Sequence, residues 1–186
     1  MAEENMNQDI IILCQNLCDY LRYITTDTME SVPLQTELLY TEKYLTCVKS
    51  RYGRDLNYCV CIPPELEKIP IPKLIIQPIV ENIFMHGLNT APPWYIDIHG
   101  RVEHNQWLVT IQDNGIGMTA LELEKLKGQM NDIKFSKDIS SLCIGGMGIL
   151  NVYLRLVFLY DNNAIFSIED GETGGVCVTL GGLLRR

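Results

Sequence analysis

The sequence predicts an α+β protein in which two helices lead into a domain of mixed strands and helices. Three observations predict it. The N-terminal part carries apolar residues three and four apart, the period of an amphipathic helix. Leu56 to Ile62, Tyr95 to Val102 and Gln106 to Asp113 instead alternate and are rich in β-formers. Two glycine clusters then bracket a site: Asp113-Asn114-Gly115-Ile116-Gly117-Met118 ends a strand, and Gly145-Gly146-Met147-Gly148 opens an apolar helix. The boundary between the two parts falls near residue 54.

In order, Ile10, Leu13, Leu17, Leu21 and Ile24 define a helix over residues 9–28, and Thr25 to Pro33 breaks it. A second helix runs from Leu34 to about Tyr52, with Leu34, Leu38, Tyr44, Leu45 and Val48 as its core positions, and Gly53 stops it. Leu56 to Ile62 is a strand, followed by a proline-punctuated loop whose last residue, Pro72, can open the next helix. That helix runs from Lys73 to Leu88. A hairpin turns at His104-Asn105. Leu121 to Met130 is a short charged helix, Asn131 to Cys143 a polar mobile stretch, and Gly148 to Tyr160 an apolar helix. Ala164 to Glu169 and Gly175 to Leu180 close the domain as strands.

A chain of 186 residues suits one domain, or one with an appendage. At 47% hydrophobic and 20% charged it has material for a real core. The net charge of -8 makes it a poor general binder of nucleic acid or anionic membrane, both of which require phosphate neutralisation. One nucleotide can still bind, because its field is local. The seven cysteines are scattered without zinc-knuckle spacing, which predicts reduced, mostly buried thiols in a cytosolic protein. No apolar run reaches the roughly 18 residues of a membrane span, and the acidic N-terminus is not a signal peptide.

Gln77, Glu81, Asn82 and His86 interrupt an otherwise apolar helix, and each i, i+4 pair lies along one face. Buried polar groups must be satisfied by something, and an Asn or Glu beside a triphosphate suits a Mg²⁺ ion that shares phosphate oxygens. The plain alternative is a polar stripe facing water. Asp113, at a strand end, can accept from an exocyclic amino group such as adenine N6, with Gly115 and Gly117 leaving room for the ligand. Its alternative is a turn in which Asp or Asn caps a helix near Thr119. Gly145, Gly146 and Gly148 free backbone amides for an anion at a helix start, or form a linker. Neither a Walker loop nor a dinucleotide fingerprint is present.

Pro72 to Gly87, with its Gln77-Pro78, Glu81-Asn82 and His86-Gly87 pairs, resembles the N box of sensor histidine kinases of the LytS type. Asp113 to Met118 resembles their first glycine box, and Gly146 to Leu156 their second. Leu21-Arg22-Tyr23, Val32-Pro33-Leu34 through Glu37, Tyr44-Leu45 and Arg51-Tyr52-Gly53 resemble the family's run into the ATPase domain. The resemblance covers roughly residues 15–180.

The resemblance implies the two-layer α/β sandwich of the histidine-kinase and gyrase ATPases: a mixed sheet with helices on one face, preceded by N-terminal helices. Residues 1–53 would end a dimerisation region, and 54–186 would form the ATP-binding catalytic domain. Asn82 would hold Mg²⁺ and Asp113 would read adenine. Gly115, Gly117, Gly146 and Gly148 would shape the pocket and its lid, the lid being Asn131 to Cys143. Glu81 and His86 would be the catalytic residues beside the phosphates. The implied cofactors are ATP and Mg²⁺. The implied activity moves the γ-phosphoryl of ATP to a His and then to the Asp of a response regulator. The full-length kinase would be a homodimer, with no nucleic acid partner and no membrane contact from this stretch. This stretch would be the cytoplasmic portion of a membrane-anchored bacterial sensor.

The three histidines, His86, His99 and His104, all lie outside the N-terminal helices. The acceptor is therefore expected upstream of residue 9, and the chain is expected to be a fragment that does not phosphorylate itself. Met85 stands where many relatives carry Lys, and Gly174-Gly175 where the closing strand usually begins Gly-Thr. Each loss of a polar contact predicts nucleotide affinity weaker by about 1 kcal/mol. Those departures keep a second reading open, a degenerate nucleotide-sensing or partner-binding module without transfer. A third, an anti-sigma kinase of the same fold, sits poorly with the lead-in from Leu21 to Gly53.

Overall fold

In the computed structural model, which describes residues 2–26, 31–87, 89–135, 148–171 and 174–184, two helices lead into a five-stranded sheet. Helix α1 (Ala2–Thr25) packs along α2 (Leu34–Tyr52), with the short strand β1 (Ser31–Pro33) between them in sequence. The apolar stripe that predicts α1 is not what it buries. Ile10, Leu17 and Leu21 are about half exposed, while Tyr20 and Tyr23 turn inward. In α2, Leu34, Leu38 and Leu45 are buried as expected, and Tyr44 and Val48 are partly buried. Glu37 and Thr41 lie in the same stripe and are buried too.

Strand β2 (Leu56–Cys61), the single-turn α3 (Pro64–Glu67) and β3 (Pro70–Pro72) follow. Pro72 does not open a helix: it pairs with Ser31 in a two-stranded ribbon of β1 and β3. The expected helix over 73–88 is shorter and broken. Residues 73–76 form bends, α4 spans Gln77–Asn82 with Pro78 in its first turn, and a wide π turn covers Ile83–Gly87. Proline at the helix start costs no hydrogen bond, which fixes the beginning here and not at Lys73.

Strands β4 (Trp94–Glu103) and β5 (Gln106–Asp113) form the predicted hairpin, with His104 and Asn105 both at positive φ. A two-residue loop with both residues left-handed matches the strand twist. Helix α5 (Ala120–Phe135), α6 (Gly148–Tyr160), β6 (Ile165–Asp170) and β7 (Val176–Leu183) complete the chain. The mobile stretch predicted from Asn131 is corrected over residues 131–135, which are the last turn of α5. There Ile133 is buried with Leu150, Tyr153 and Leu154 of α6. The remainder of that stretch, 136–143, lies outside the described residues.

The sheet order is β2-β4-β5-β7-β6, with β2 parallel to β4 and the other pairs antiparallel, so it is mixed. Ile96, Ile98, Trp107, Val109, Ile111, Val178 and Leu180 face the helices and are buried. Asp97, His99 and Arg101 face away and are exposed. This is the expected arrangement of helices on one face. One core joins Leu34, Leu38 and Leu45 of α2 to Ile75, Ile79 and Val80 around α4, to the strands, and to Val152 and Leu156 of α6. Trp107 Nε1 donates to the Tyr160 hydroxyl at 3.0 Å, which donates to Pro70 O at 3.0 Å and ties sheet, α6 and β3 together. The cysteines depart from expectation: Cys14, Cys18, Cys59 and Cys61 are exposed, and Cys47 and Cys177 half-buried. An edge strand with an open outer face has no burial to offer Cys59 and Cys61.

Candidate nucleotide-binding site

A cavity of about 470 Å³ opens between the sheet, the end of α4, α5 and the start of α6. Its floor is Asp113 at the end of β5. The carboxylate is 3% exposed. Oδ1 accepts the Gly115 amide at 2.7 Å, and Oδ2 accepts the Val176 amide at 3.1 Å. Burial pushes its carboxyl up, and those two amides work in the opposite direction. The capping alternative fails on geometry, because α5 is capped by others. Thr119 Oγ1 accepts the Glu122 amide at 3.3 Å, and Glu122 Oε2 accepts the Thr119 amide at 2.8 Å and hydroxyl at 2.7 Å, a reciprocal capping box. Asn114 is occupied as well, bridging Tyr95 N at 2.7 Å and Pro93 O at 3.0 Å. Asp113 is thus held with lone pairs left for the cavity it lines.

Glycines surround that carboxylate for a steric reason. A Cβ on Gly115 would lie 2.2 Å from Gly87 O, and one on Gly175 would lie 2.3 Å from Asp113 Oδ1. The Ile116 amide also donates to Gly87 O at 3.0 Å, joining the end of the π turn to the loop after β5. Gly117 lines the cavity at φ 75°, a conformation that favours glycine.

The two polar pairs around α4 separate onto two faces. Asn82 and His86 line the cavity, together with Gly148. Asn82 Nδ2 is buried without a hydrogen-bond partner, and a Cβ on Gly148 would stand 3.2 Å from it. Gln77 and Glu81 face α1 instead. Tyr20 Oη donates to Glu81 Oε1, and Gln77 Nε2 donates to Tyr20 Oη at 3.3 Å and to Glu81 Oε1 at 3.2 Å. Glu81 is thus held off the cavity wall, in contrast to the catalytic placement expected of it. The stripe as a whole does not simply face water, since Gln77 is 2% exposed. Gly146 lies outside the described residues.

Helix α5 contributes wall residues that the sequence reading passed over: Glu122, Lys125, Leu126 and Gln129. Their i, i+3, i+4 and i+7 spacing was the available signal. Glu122 sits below the usual carboxylate range, chiefly through the Thr119 hydroxyl and amide, with His86 adding a smaller electrostatic contribution. Lys125 supplies a cation in the wall. Met85, by contrast, is 73% exposed and outside it. Among the described residues no group of three His, Cys, Asp or Glu side chains could hold a metal, so a divalent ion here would have to share ligand oxygens. Among the described residues no helix is long and apolar enough to cross a membrane.

Solved structures share this fold. The histidine kinase domain of the blue-light activated histidine kinase from Erythrobacter litoralis superposes with a TM-score of 0.54 at 16% identity, over 95% of this chain and 72% of that one. The ATP binding domain of PrrB from Mycobacterium tuberculosis gives 0.54 at 16%, over 86% of this chain and 100% of that one. The architecture is therefore that of the histidine-kinase catalytic domain. A family model described as Histidine kinase matches residues 1–56. The Sensor protein kinase HptS of Staphylococcus aureus is 29% identical over 164 residues, 88% of this chain and 30% of that protein. An uncharacterized sensor-like histidine kinase of Staphylococcus epidermidis is 29% identical over 117 residues, 63% of this chain and 23% of that protein. The chain is thus similar to sensor histidine kinases, and it spans less than a third of the length of these two relatives.

Proposed function

We propose that the cavity binds ATP with Mg²⁺ and that the chain is the catalytic part of a two-component kinase of the LytS type. The observation that carries this is Asp113: a carboxylate buried at a cavity floor, fixed by two backbone amides, with its surroundings cleared by glycines. An ionised acceptor there suits the amino group of adenine and repels the carbonyl that guanine presents at the same edge. Asn82 lies in the wall with its Nδ2 partnerless, and its Oδ1 would be the ligand for an ion shared with the phosphates. Mg²⁺ bound there would neutralise charge on the phosphate oxygens. Lys125 and His86 add positive charge or donors, and Gly148 keeps the start of α6 close to Asn82.

The chemistry is then phosphoryl transfer governed by positioning and charge. The bond from the γ-phosphorus to the bridging oxygen breaks, ADP leaves, and a bond forms to a histidine nitrogen, from which the group passes to a response-regulator Asp. In this reading residues 1–53 end the dimerisation region, 54–186 form the ATP-binding domain, the full-length kinase is a homodimer, and this portion faces the cytoplasm of a membrane-anchored bacterial sensor. The competing reading, a nucleotide-sensing module without transfer, draws on Met85, which puts no cation into the wall. Calorimetry with ATP and GTP, each with and without Mg²⁺, tests the proposal. ATP should bind and GTP should not, and Asp113→Ala should lose binding while keeping its fold. Equal affinity for both nucleotides would remove the base-reading role of Asp113.

A further inference from the structure

Two carboxylates that serve the Asn82 helix point away from the cavity and toward α1. Glu81, next to Asn82, accepts from Tyr20 and Gln77. Glu37 of α2 is 1% exposed and accepts from Tyr23 Oη and from the amides of Leu74, Ile75 and Ile76 at 2.8, 3.1 and 3.2 Å. Those three amides belong to the bend that leads into α4. Tyr20 and Tyr23 are three residues apart, so they share a face of α1. One hydroxyl therefore acts at the C-terminal end of α4 and the other at the bend before its N-terminus.

We propose that Tyr20 and Tyr23 are positioning residues through which α1 sets the placement of Asn82 and His86 in the cavity, by hydroxyl–carboxylate hydrogen bonds to Glu81 and Glu37. Only the identity of the ligand rests on the nucleotide reading; the coupling of α1 to the cavity wall does not.

The physical grounds are local. Glu81 is half-buried, and a carboxylate there needs donors. Without the Tyr20 hydroxyl it keeps the Gln77 amide and must find another partner, and any rotation of the last turn of α4 carries Asn82 with it. The start of α6 lies close by, since a Cβ on Gly148 would stand 3.2 Å from Asn82 Nδ2. Beyond it the chain enters a π turn, whose bonding is wider and weaker than that of an α-helix. Helix α4 is only six residues long, too short to hold itself in place. Around the bend, Lys73 Nζ donates to Thr26 O at 3.3 Å and Oγ1 at 2.5 Å. Arg155 Nη1 of α6 donates to Lys73 O at 3.3 Å. The bend is thus also tied to the end of α1 and to α6. Coupling of this kind is reciprocal: what α1 does to the ligand, the ligand does to α1.

Hydrogen exchange of the whole chain tests this, comparing the parent with the Tyr20→Phe/Tyr23→Phe double variant, with and without Mg²⁺-ATP. In the empty protein the double variant should exchange about tenfold faster over residues 77–87, the size expected from losing hydrogen bonds to charged groups, while β5 and β7 stay as slow as in the parent. ATP affinity should fall about tenfold as well. ATP should slow exchange in α1 of the parent and not in the double variant. Glu81→Gln, which keeps an acceptor for Tyr20, should retain most of the affinity that Glu81→Ala loses. Unchanged exchange over 77–87, or acceleration spread evenly over β5 and β7, overturns the proposal. If the parent binds no adenine nucleotide, the reading of the cavity falls, and exchange of the empty proteins alone decides the coupling.

Discussion

Asp113 and Gly175 occupy one corner of the molecule so closely that a Cβ on Gly175 would stand 2.3 Å from both the backbone oxygen and Oδ1 of Asp113. Gly175 also holds φ at 72°, where a side chain is strained. The absence of threonine at this position is therefore a requirement of the local backbone. Gly175→Ala should destabilise the fold by about 1–3 kcal/mol, from overpacking and backbone strain together. Urea unfolding measures it, and an unchanged midpoint would contradict the steric account. Gly175→Thr, with a larger branched side chain at the same strained position, should be worse still.

Burial raises the Asp113 carboxyl, and the amides of Gly115 and Val176 offset this only in part. The folded protein therefore holds a proton there more readily than the unfolded chain. The stability this group contributes is full below its unfolded value of 3.8 and is lost as pH rises through the raised folded value. Asp113→Asn removes that titration. The stability of the parent minus that of the variant should fall with rising pH across this acidic window and be flat above it. A difference independent of pH would show that the carboxyl is not perturbed.

Asn82→Ala should weaken binding of Mg²⁺-ATP about tenfold, the value of one contact to a charged partner, and binding of metal-free ATP much less. A fluorescent ATP analogue titrated with Mg²⁺ and with EDTA gives both numbers. Equal losses in the two titrations would make Asn82 a packing residue.

Thr119→Ala breaks the capping box of α5 and should cost about 1 kcal/mol of stability. It should also let Glu122 return toward the ordinary carboxylate range, because the Thr119 bonds are what hold it down. Urea unfolding checks the first, and side-chain NMR titration of Glu122 the second.

The chain incubated alone with labelled ATP should take up no acid-labile phosphate. His99 lies on β4 and His104 in the hairpin turn, and neither lines the cavity. His86 does line it, from the π turn beside Asn82, so it is part of the cavity wall and not an acceptor brought in from another element. Label on any of the three would overturn this assignment.

The five strands of the main sheet were legible in the sequence because alternation and the His104-Asn105 turn specify them, whereas the short β1–β3 ribbon, rich in proline, carries no such pattern. The Asp113 glycine box was legible because few other patterns demand small residues so close to an acid. The start of α4 was misplaced because Lys73 to Ile76 are apolar enough to continue a helix. What stops them is Glu37, nearly forty residues earlier, which takes up their amides in a bend. The partner of Glu81 was hidden for the same reason: Tyr20 is 61 residues away in sequence. The inward face of α1 was misjudged because tyrosines bury well when their hydroxyls find acceptors, and no local pattern announces an acceptor.

The exposed thiols of the outer sheet face give the molecule a handle. Cys59 and Cys61 project from β2, beside Asp97 and His99 of β4, on the side away from the cavity. With Cys14, Cys18 and Cys143 replaced by serine, a maleimide surface would grip the protein by its back. Every immobilised copy would then present its open cavity to the flowing solution, and a dye on the same thiols would sit behind the sheet, clear of anything entering the front.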